Sequence, residues 1–594
     1  MKSLLSDTQA AVLGEAVRLV EACPGAGKTR AIVARFSRLA TSSHRAVALV
    51  SFTNAAVDEA TKRCADKPQA TQPPNFIGTF DRFIRRFVVT PVLLREAGRQ
   101  PRYLDTWADL PETFDTSIRH NDVAGRGLTL SYFHVDANGA VSYPSETPQS
   151  DAAYAAQLEK AGHNPAALLD YAGRRISQLT SAGLYDCEQS RVKALAILRD
   201  PAMKWLHRRL TQRFEEVIVD EFQDCSSIEH EILTLLESFG SRVVVVADPD
   251  QAIYEFRQAA PSSYIEYRDR IPAEHIVYLD ENWRSSPAIC DLASSLRSIS
   301  QRPIVSRRDN AQSPHADVVY VAAGTPKYAR REFDRLATTL SIPAGERLVL
   351  ASTRKAVIEL TGQPPGTGSG KTQTSKIIRS VAALRFSRIA SERKDAISTV
   401  ERVLLGTIRL SPELQRAPRQ EQLDAAGVQQ AELRMMVARL VEASTSWEDA
   451  DTATSSIRTT VAELLANIKY GFTPTGHRFR KAETADWKAY MKAEKATVDS
   501  LELTGKHIHS IKGAECDAVL LDIEDDPKGT RPHVLDLWAS ASTHEARRVL
   551  YVGASRARRL LMLAVAPRNL DTLRVLLSDS GVAVEYLEEA AGRG

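Results

Sequence analysis

A glycine-rich segment near the amino terminus constrains this chain more than any other feature. Residues 21–29 read EACPGAGKT; they follow the apolar run 17–20 and precede a helical pattern that continues through residues 30–33. The two glycines let successive backbone N–H groups turn towards phosphate oxygens at a helix N-terminus, and the lysine and threonine side chains can reach a phosphate and a metal ion. This strand-loop-helix context predicts a phosphate-binding loop in a parallel α/β domain.

Two later apolar runs also end in polar residues. Val217–Val219 leads directly into Asp220 and Glu221, and Val243–Val246 leads into residues 247–257, ADPDQAIYEFR. Open α/β sheets place their ligands at the carboxyl ends of such strands. We therefore expect Asp220 to hold Mg²⁺ through water, Glu221 to polarise the attacking water, and Gln251 to sense the γ-phosphate.

Composition limits the class of protein. The chain has 594 residues, a net charge of +3 from 77 basic and 74 acidic residues, and 43% hydrophobic residues. This length predicts several packing units, and the balanced charge predicts that any nucleic-acid path is a local groove. Six scattered cysteines lack zinc spacing, no apolar run reaches the roughly 20 residues of a membrane span, and residues 1–7 lack a signal-peptide core. These features predict a cytoplasmic protein.

Further sequence blocks occur in a fixed order between residues 9 and 557. They are Gln9, 51–56 (SFTNAA), 77–81 (IGTFD), 282–285 (NWRS), 507–515 (HIHSIKGAE) and 548–557 (RVLYVGASRA). Together with the glycine-rich loop, the acidic pair and the Gln251 segment, these blocks resemble the motifs of the UvrD/Rep/PcrA group of superfamily 1A DNA helicases.

The resemblance implies an α/β fold with two RecA-like parallel-sheet motor domains and mainly helical inserted subdomains. It also implies an ATP- and Mg²⁺-dependent helicase or translocase that moves 3′ to 5′ on single-stranded DNA and acts at junctions of single- and double-stranded DNA. The expected catalytic residues are Lys28, Asp220, Glu221, Gln251, Arg284 and Arg556, the two arginines acting as fingers on the γ-phosphate. The expected metal ligands are Thr29 and Asp220.

The remaining site residues follow from the same resemblance. ATP is expected to contact Gln9, Ala22, Cys23, Pro24, Gly25, Ala26, Gly27, Lys28, Thr29, Arg30, Trp283 and Glu515, with the adenine between Arg30 and Trp283 and the ribose on Glu515. DNA is expected to contact Phe52, Thr53, Asn54, Thr79, Phe80, Tyr254, Phe256, Arg257, His509 and Lys512. Of these, Phe52, Tyr254 and Phe256 would stack on bases without regard to sequence. Asp81 and His507 depart from the residues common in this group.

The blocks also predict domain boundaries. Residues 1–90 and 205–285 form the first RecA-like domain, which is interrupted by an insert at 91–204. Residues 286–360 and 500–594 form the second, interrupted by a helical insert at 361–499. In that insert, Ile377, Val381 and Leu384 recur at one-face helical spacing, as do Leu433, Met436 and Leu440. We expect both stripes to be core.

Residues 364–372, PPGTGSGKT, look like a second phosphate-binding loop. They follow the helical pattern 356–360, where such a loop needs a strand. We expect a hinge into the helical insert, with a second nucleotide site as the alternative.

Two basic clusters have alternative interpretations. Arg478, Arg480, Lys481 and Lys488 could touch duplex DNA, but a solvated face is the simpler reading. Arg82, Arg85 and Arg86 directly follow a DNA motif, so we expect phosphate contacts there.

Two functions are compatible with the sequence. One is a DNA motor in repair or anti-phage defence. The other is a DNA-end-sensing ATPase that regulates a partner nuclease with little unwinding of its own, because residues 75–84 (NFIGTFDRFI) also resemble the helicase subunit GajB of Gabija anti-phage systems, whose partner would be a GajA-like nuclease.

Overall fold

The computed structural model describes residues 5–589. Not described are the single residues 66, 99, 137, 301 and 467 and the segments 108–116, 122–126, 131–132, 144–155, 157–158, 160–163, 254–260, 310–313, 362–371, 388–389, 412–418, 469–470, 500–503, 512–514 and 526–531. Within the described ranges, every helix falls short of the length and apolar character needed to span a bilayer.

Two six-stranded parallel sheets form the frame of the molecule. The first has the order β12-β1-β11-β10-β2-β3. Its strands are β1 Leu19–Ala22, β2 Ala46–Ser51, β3 Phe76–Thr79, β10 Phe214–Val219, β11 Arg242–Ala247 and β12 Ile276–Leu279. Nearly every residue of β1, β2, β10 and β11 is buried, as the short runs rich in valine and isoleucine predict for strands covered on both faces.

The second sheet has the order β17-β16-β18-β19-β15-β20. Its strands are β15 Val319–Ala323, β16 Arg347–Ala351, β17 Thr504–His507, β18 Cys516–Asp522, β19 Ala557–Val565 and β20 Val584–Glu588. One hydrophobic cluster contains buried residues of both sheets, among them Val20, Val244, Val321 and Leu563. The expected α/β fold with two RecA-like sheets is confirmed.

Helices surround the two sheets. Around the first lie Asp7–Ala11, Lys28–Ser42, Asn54–Arg63, Pro68–Thr71, Phe80–Ile84, Thr90–Ala97, Lys204–Arg213, Ser227–Ser238 and Pro261–Asp269. A π-helix at Arg85–Val89 joins two of these into one helical run from Phe80 to Ala97. Around the second lie Pro287–Leu296, Pro326–Thr339, Arg354–Thr361, Val534–Ala539, Glu545–Ala554 and Leu570–Asp579.

Segments between these elements form smaller units. Residues 102–185 contain the short strands β4 Arg102–Tyr103, β5 Ser117–Asn121, β6 Gly127–Thr129, β7 His134–Val135, β8 Val141–Ser142 and β9 Leu184–Tyr185, with the helix Pro165–Ser181. The next helix, Cys187–Arg199, packs into the hydrophobic core of the first sheet. Strands β13 Glu281–Asn282 and β14 Val305–Ser306 pair beside the first sheet.

The segment 373–499 is helical. Its helices are Gln373–Phe386, Ala390–Leu405, Arg419–Ala426, Gln430–Ala443, Ala450–Leu465, Thr475–Arg478 and Thr484–Asp499. They share one hydrophobic core, in which Ile377, Val381, Leu433 and Leu440 are buried and Leu384 and Met436 pack at the edge. The prediction that both stripes are core is confirmed.

Candidate nucleotide site between the two sheets

The glycine-rich loop joins β1 to the helix that begins at Lys28. Gly25 and Gly27 have φ of 72° and 75°, in the left-handed region that side chains rarely adopt. A Cβ on Gly25 would lie 2.7 Å from Asn282 Oδ1, and one on Gly27 would lie 2.5 Å from Gln9 Nε2. The backbone conformation therefore favours glycine at both positions, and at Gly25 a side chain would also clash with Asn282 and with the Cβ of Arg284.

Gln9 holds the loop from the amino-terminal side. The buried amide of Gln9 donates a 2.9 Å hydrogen bond to the carbonyl of Ala26. Its side-chain oxygen accepts from the backbone of Ser6, while the Ser6 hydroxyl accepts from the backbone of Gln9 in a capping box. The structure thus places Gln9 beside the loop, where an adenine-reading side chain is expected.

Lys28 lies against the acidic pair at the carboxyl end of β10. Its Nζ is 2.5 Å from Glu221 Oε1 and 3.4 Å from Asp220 Oδ1. Burial favours the neutral amine, but the two carboxylates outweigh it and raise the pKa of Lys28. Burial and the neighbouring Glu221 raise the pKa of Asp220, which Lys28 offsets only in part.

Glu221 is held in an unusual backbone conformation. Its φ is 58°, in the left-handed region, and its N–H donates to Asp220 Oδ1 at 2.9 Å. Gln223 Nε2 donates to the other Glu221 carboxylate oxygen at 2.6 Å. Strained positions of this kind cost of order 1–3 kcal/mol and persist where surrounding contacts enforce them.

A hydrogen-bonded chain leads from this acidic pair to the second sheet. Gln223 accepts from the backbone N–H of Asp248, and Gln251 Nε2 donates to Asp248 Oδ2 at 2.8 Å. Arg556 Nη2 then donates to Gln251 Oε1 at 3.1 Å. The Tyr551 hydroxyl also lies 3.1 Å from Asp248 Oδ2. Residues of both sheets therefore share one polar network.

Burial shifts the pKa values of two charged residues in this network, Asp248 and Arg556. Burial raises the pKa of Asp248 to about 6. Burial, together with repulsion from Arg284, lowers the pKa of Arg556 to about 10. Arg556 is only 2% exposed. Perturbed values of this kind concentrate at functional sites, although structural networks also produce them.

The second predicted arginine finger is held differently. Arg284 Nε is 2.5 Å from Glu515 Oε2, and Arg558 Nη2 binds the other oxygen of Glu515 at 2.9 Å. The side chain of Asn282 accepts from the backbone N–H groups of Arg284 and Ser285 and so fixes this turn beside Gly25. Glu515, which is predicted to bind the ribose, is thus the ion-pair partner of Arg284.

The other expected ATP-contacting residues surround the same loop. The backbone N–H of Trp283 donates to the carbonyl of Gly25 at 3.0 Å, and its side chain is 49% exposed. Thr29 and Arg30 are half-buried in the first turn of the helix, and Ala22, Cys23, Pro24 and Ala26 are buried. Burial raises the pKa of the Cys23 thiol well above its usual value.

The expected DNA contacts lie at the carboxyl ends of β2 and β3 of the same sheet. Phe52 is half-buried and stacks on Phe80 with ring centroids 5.5 Å apart. Thr53 caps the helix that begins at Asn54, and Thr79 caps the helix that begins at Phe80. Phe80 itself is only 1% exposed, so the expected DNA contact by its side chain is corrected to support of the Phe52 ring.

Of the other residues expected to contact DNA, the structure describes some and not others. His509 is half-buried, with its Nδ1 3.3 Å from His507 Nδ1. Tyr254, Phe256, Arg257 and Lys512 lie outside the described residues. Among the three arginines after the motif, Arg82 and Arg86 are exposed, whereas Arg85 turns inward and donates to the carbonyl of Leu104 at 2.6 Å. The expected phosphate contact by Arg85 is therefore corrected to a structural role.

Comparison with known proteins adds an independent observation. Residues 6–272 match the family model of the UvrD/REP helicase N-terminal domain. In this region the chain is similar to the UvrD-like helicases. It is 26% identical over 293 residues to DNA helicase II of Escherichia coli, an alignment that covers 47% of this chain and 38% of that protein.

Other relatives align over different lengths. The chain is 25% identical over 590 residues to the ATP-dependent DNA helicase UvrD2 of Mycobacterium tuberculosis, which covers 91% of this chain and 75% of the relative. It is 34% identical over 125 residues to the ATP-dependent DNA helicase Rep of Escherichia coli, which covers 19% and 18%. The chain thus spans about two fifths of DNA helicase II.

Sequence reasoning missed some residues of the network. Asp248 and Tyr551 meet although 303 positions separate them along the chain. The sequence could have indicated Asp248 as a site residue, because it directly follows a buried strand as Asp220 does. No such indication exists for Tyr551, since an aromatic residue within a buried helix usually belongs to the hydrophobic core.

Proposed function

We propose that this chain is an ATP-dependent DNA motor that couples hydrolysis to movement along single-stranded DNA in the 3′ to 5′ direction. The observation that carries the proposal is the network from Lys28, Asp220 and Glu221 through Gln251 to Arg556. This network joins phosphate-handling residues of the first sheet to a buried arginine of the second. The relatives' names, DNA helicase II and ATP-dependent DNA helicase Rep, support the same class of activity.

The proposed binding mode follows the geometry of the loop. Backbone N–H groups of residues 25–29 and the Lys28 ammonium would bind the ATP phosphates, because they lie at the N-terminus of a helix. Trp283 and Arg30 would enclose the adenine, with Gln9 reading its edge, and Glu515 would accept from the ribose. The Thr29 hydroxyl and the buried Asp220 carboxylate are oxygen donors of the kind Mg²⁺ prefers, and the ion would neutralise charge on the phosphates.

The charged residues would then divide the work. Glu221, beside the phosphate-binding lysine, would orient and activate the attacking water. Arg556 and Arg284 would stabilise the charge that develops on the γ-phosphate. Because Arg556 contacts Gln251 across the two sheets, binding and loss of the γ-phosphate would change how the sheets are joined. On the DNA side, Phe52 would stack on a base, and Thr53, Asn54, Thr79 and His509 would contact the strand.

Steady-state ATP hydrolysis with and without single-stranded DNA tests this proposal, with Glu221→Gln as the control variant. We expect strong stimulation by DNA in the unmodified chain. In Glu221→Gln we expect ATP binding to persist while turnover falls by about 10²–10⁴-fold, the usual contribution of a general base. Turnover that ignores DNA, or near-normal turnover in the variant, would overturn it.

A further inference from the structure

Two helical segments lie side by side at the end of the first sheet that is remote from the glycine-rich loop. Phe87 of the run Phe80–Ala97 packs edge-on against Phe214, the residue that follows the helix Lys204–Arg213. Eight residues further along the run, Arg95 lies over the ring of Trp205, near the other end of that helix. The two helices therefore run antiparallel over about 12 Å, given a rise of 1.5 Å per residue.

Guanidinium groups cover the aromatic rings between these helices. Arg86 and Arg213 both lie over Phe87, with their Cζ atoms 5.3 and 4.9 Å from its centroid. Arg95 and Arg209 both lie over Trp205, at 4.9 and 6.0 Å. Cation–π contacts hold a guanidinium in place without neutralising its charge.

This surface is strongly basic in a chain whose overall charge is nearly balanced. We call the exposed residues Arg82, Arg86, Arg95, Lys204, Arg208, Arg209 and Arg213 the basic strip. The helix Lys204–Arg213 contains no acidic residue, and in the run Phe80–Ala97 Asp81 is bound by Arg191, which leaves Glu96 as the other carboxylate. The strip therefore presents fixed positive charge to solvent.

The basic strip begins at an expected DNA contact. Thr79, which caps the run Phe80–Ala97, ends β3 on the side of the sheet that carries Asp220. Phe87 contacts Phe76, the first residue of β3, so the run passes back along this edge strand. Arg82 and Arg86, one helical turn apart, thus connect the Thr79 end to Arg213 and Arg209.

We propose that the basic strip binds the phosphate backbone of single-stranded DNA that extends beyond Thr79. This inference rests on the proposed function, since it requires a strand at the carboxyl edge of the first sheet. Arginine and lysine recognise phosphates without reading base sequence, and such contacts make affinity steeply salt-dependent. The strip lengthens the DNA footprint of the motor and leaves the hydrolysis site untouched.

The test compares oligothymidylates of about 10 and about 40 nucleotides, the shorter one being close to the footprint of a single binding module. We expect the variant Arg208→Gln, Arg209→Gln, Arg213→Gln to bind the long strand about tenfold more weakly at moderate salt. The slope of log affinity against log salt should become shallower by about 2, since each phosphate contact contributes roughly 0.7 for single strands. Affinity for the short strand, and the ATPase rate that it supports at saturation, should not change.

The matched control is Lys327→Gln, Arg331→Gln, Arg335→Gln on the helix Pro326–Thr339 of the second sheet. It removes the same number of exposed positive charges from a helix where Glu332 is interspersed with them. We expect it to bind both strands like the unmodified chain. Both triple variants should remain folded, and the basic-strip variant should unfold at a slightly lower temperature because it loses cation–π contacts of Arg209 and Arg213.

The outcomes separate this inference from the proposed function. If the basic-strip variant binds the long strand with unchanged affinity and salt slope while the short strand still stimulates hydrolysis, the strip does not bind DNA and an acidic protein partner becomes the better reading. If it loses affinity for a blunt duplex and not for the long single strand, the strip contacts duplex DNA and the inference is wrong. If no DNA stimulates hydrolysis in the unmodified chain, the proposed function itself fails.

Discussion

Two segments of this chain have similar sequences but follow different secondary-structure elements, one a strand and the other a helix. Residues 21–29 (EACPGAGKT) follow the buried strand β1, and Lys28 begins the next helix opposite Asp220 and Glu221. Residues 364–372 (PPGTGSGKT) follow the helix Arg354–Thr361, as the sequence predicted; all but Thr372 lie outside the described residues. Both segments combine glycines with a lysine and a threonine in the same order. Any difference in phosphate binding must therefore come from the elements that surround each segment.

The comparison shows what a phosphate site requires beyond its motif. A strand that ends at the loop places the helix N-terminus at the carboxyl edge of a sheet, and neighbouring strands then deliver carboxylates to the same edge. A helix that precedes the loop gives no such edge. We therefore propose that the first segment binds the nucleotide, and we expect the second to act as a connection into the helical insert.

The largest expected effect separates the two lysines directly. Lys28→Ala should reduce ATP hydrolysis to background, because it removes the ammonium that would bind the β and γ phosphates. Lys371→Ala should leave the rate within about twofold, because a glycine-rich loop that follows a helix lacks the sheet edge at which α/β folds bind phosphates. Steady-state hydrolysis with saturating single-stranded DNA measures both. If Lys371→Ala loses activity while its unfolding temperature is unchanged, the two segments do not differ in function, and residues 364–372 form a second nucleotide site.

The next expected effect concerns the second sheet. Arg556→Ala should lower kcat by about a thousandfold or more, the usual contribution of an arginine finger. ATP affinity should change much less, because the finger acts mainly on charge that develops during phosphoryl transfer. Single-turnover hydrolysis and equilibrium binding of a labelled nucleotide separate the two quantities. Equal losses in both would mean that Arg556 only binds ATP or only holds the sheets together.

A smaller effect is expected from the buried carboxylate of the network. Because burial raises the pKa of Asp248 to about 6, the folded chain binds its proton at a higher pH than the unfolded chain does. Stability from this group is therefore lost as pH rises through 6. Relative to the unmodified chain, Asp248→Asn should gain about 1.5 kcal/mol between roughly pH 5 and pH 8. Chemical denaturation at both pH values measures the difference, and parallel stabilities would show that Asp248 titrates normally.

The smallest expected effect lies beside the second segment. The Thr372 side chain accepts from the backbone N–H of Ser375 and caps the helix Gln373–Phe386. Thr372→Ala should cost about 1 kcal/mol of stability, as the loss of such a cap usually does, and should leave ATP hydrolysis unchanged. Thr372→Ser, which keeps the hydroxyl, should restore stability. A loss of hydrolysis in Thr372→Ala would give the second segment a role in catalysis.

Much of the frame could be predicted because the signals are local. Short apolar runs such as Val217–Val219 and Val243–Val246 are typical of strands that are buried on both faces. In the helical insert, apolar residues recur at the spacing of one helix face, which predicts helices that share a core. The order of the sequence blocks predicted which side chains surround the glycine-rich loop. Lys28, Asp220 and Glu221 do lie together, and Gln251 contacts Arg556.

What could not be predicted depends on long-range contact. The left-handed conformation of Glu221 is enforced by its surroundings and leaves no trace in residue type. Phe80 lies within a sequence block that is expected to contact DNA, and Arg85 follows it. In the fold, Phe80 packs against Phe52, and Arg85 donates a hydrogen bond to the carbonyl of Leu104, so neither side chain faces solvent freely. Asp250 accepts from backbone N–H groups of residues 298–300, a contact that only the folded chain defines.

Stopped-flow fluorescence of single-stranded DNA labelled at its 5′ end tests the central claim, movement coupled to hydrolysis, most directly. With ATP and a protein trap, the proposed motor predicts an arrival time at the 5′ label that grows linearly with strand length, and no such signal in Glu221→Gln. A signal that does not depend on strand length, in a chain that still hydrolyses ATP when DNA is added, would contradict the account and leave an ATPase that senses DNA without moving along it.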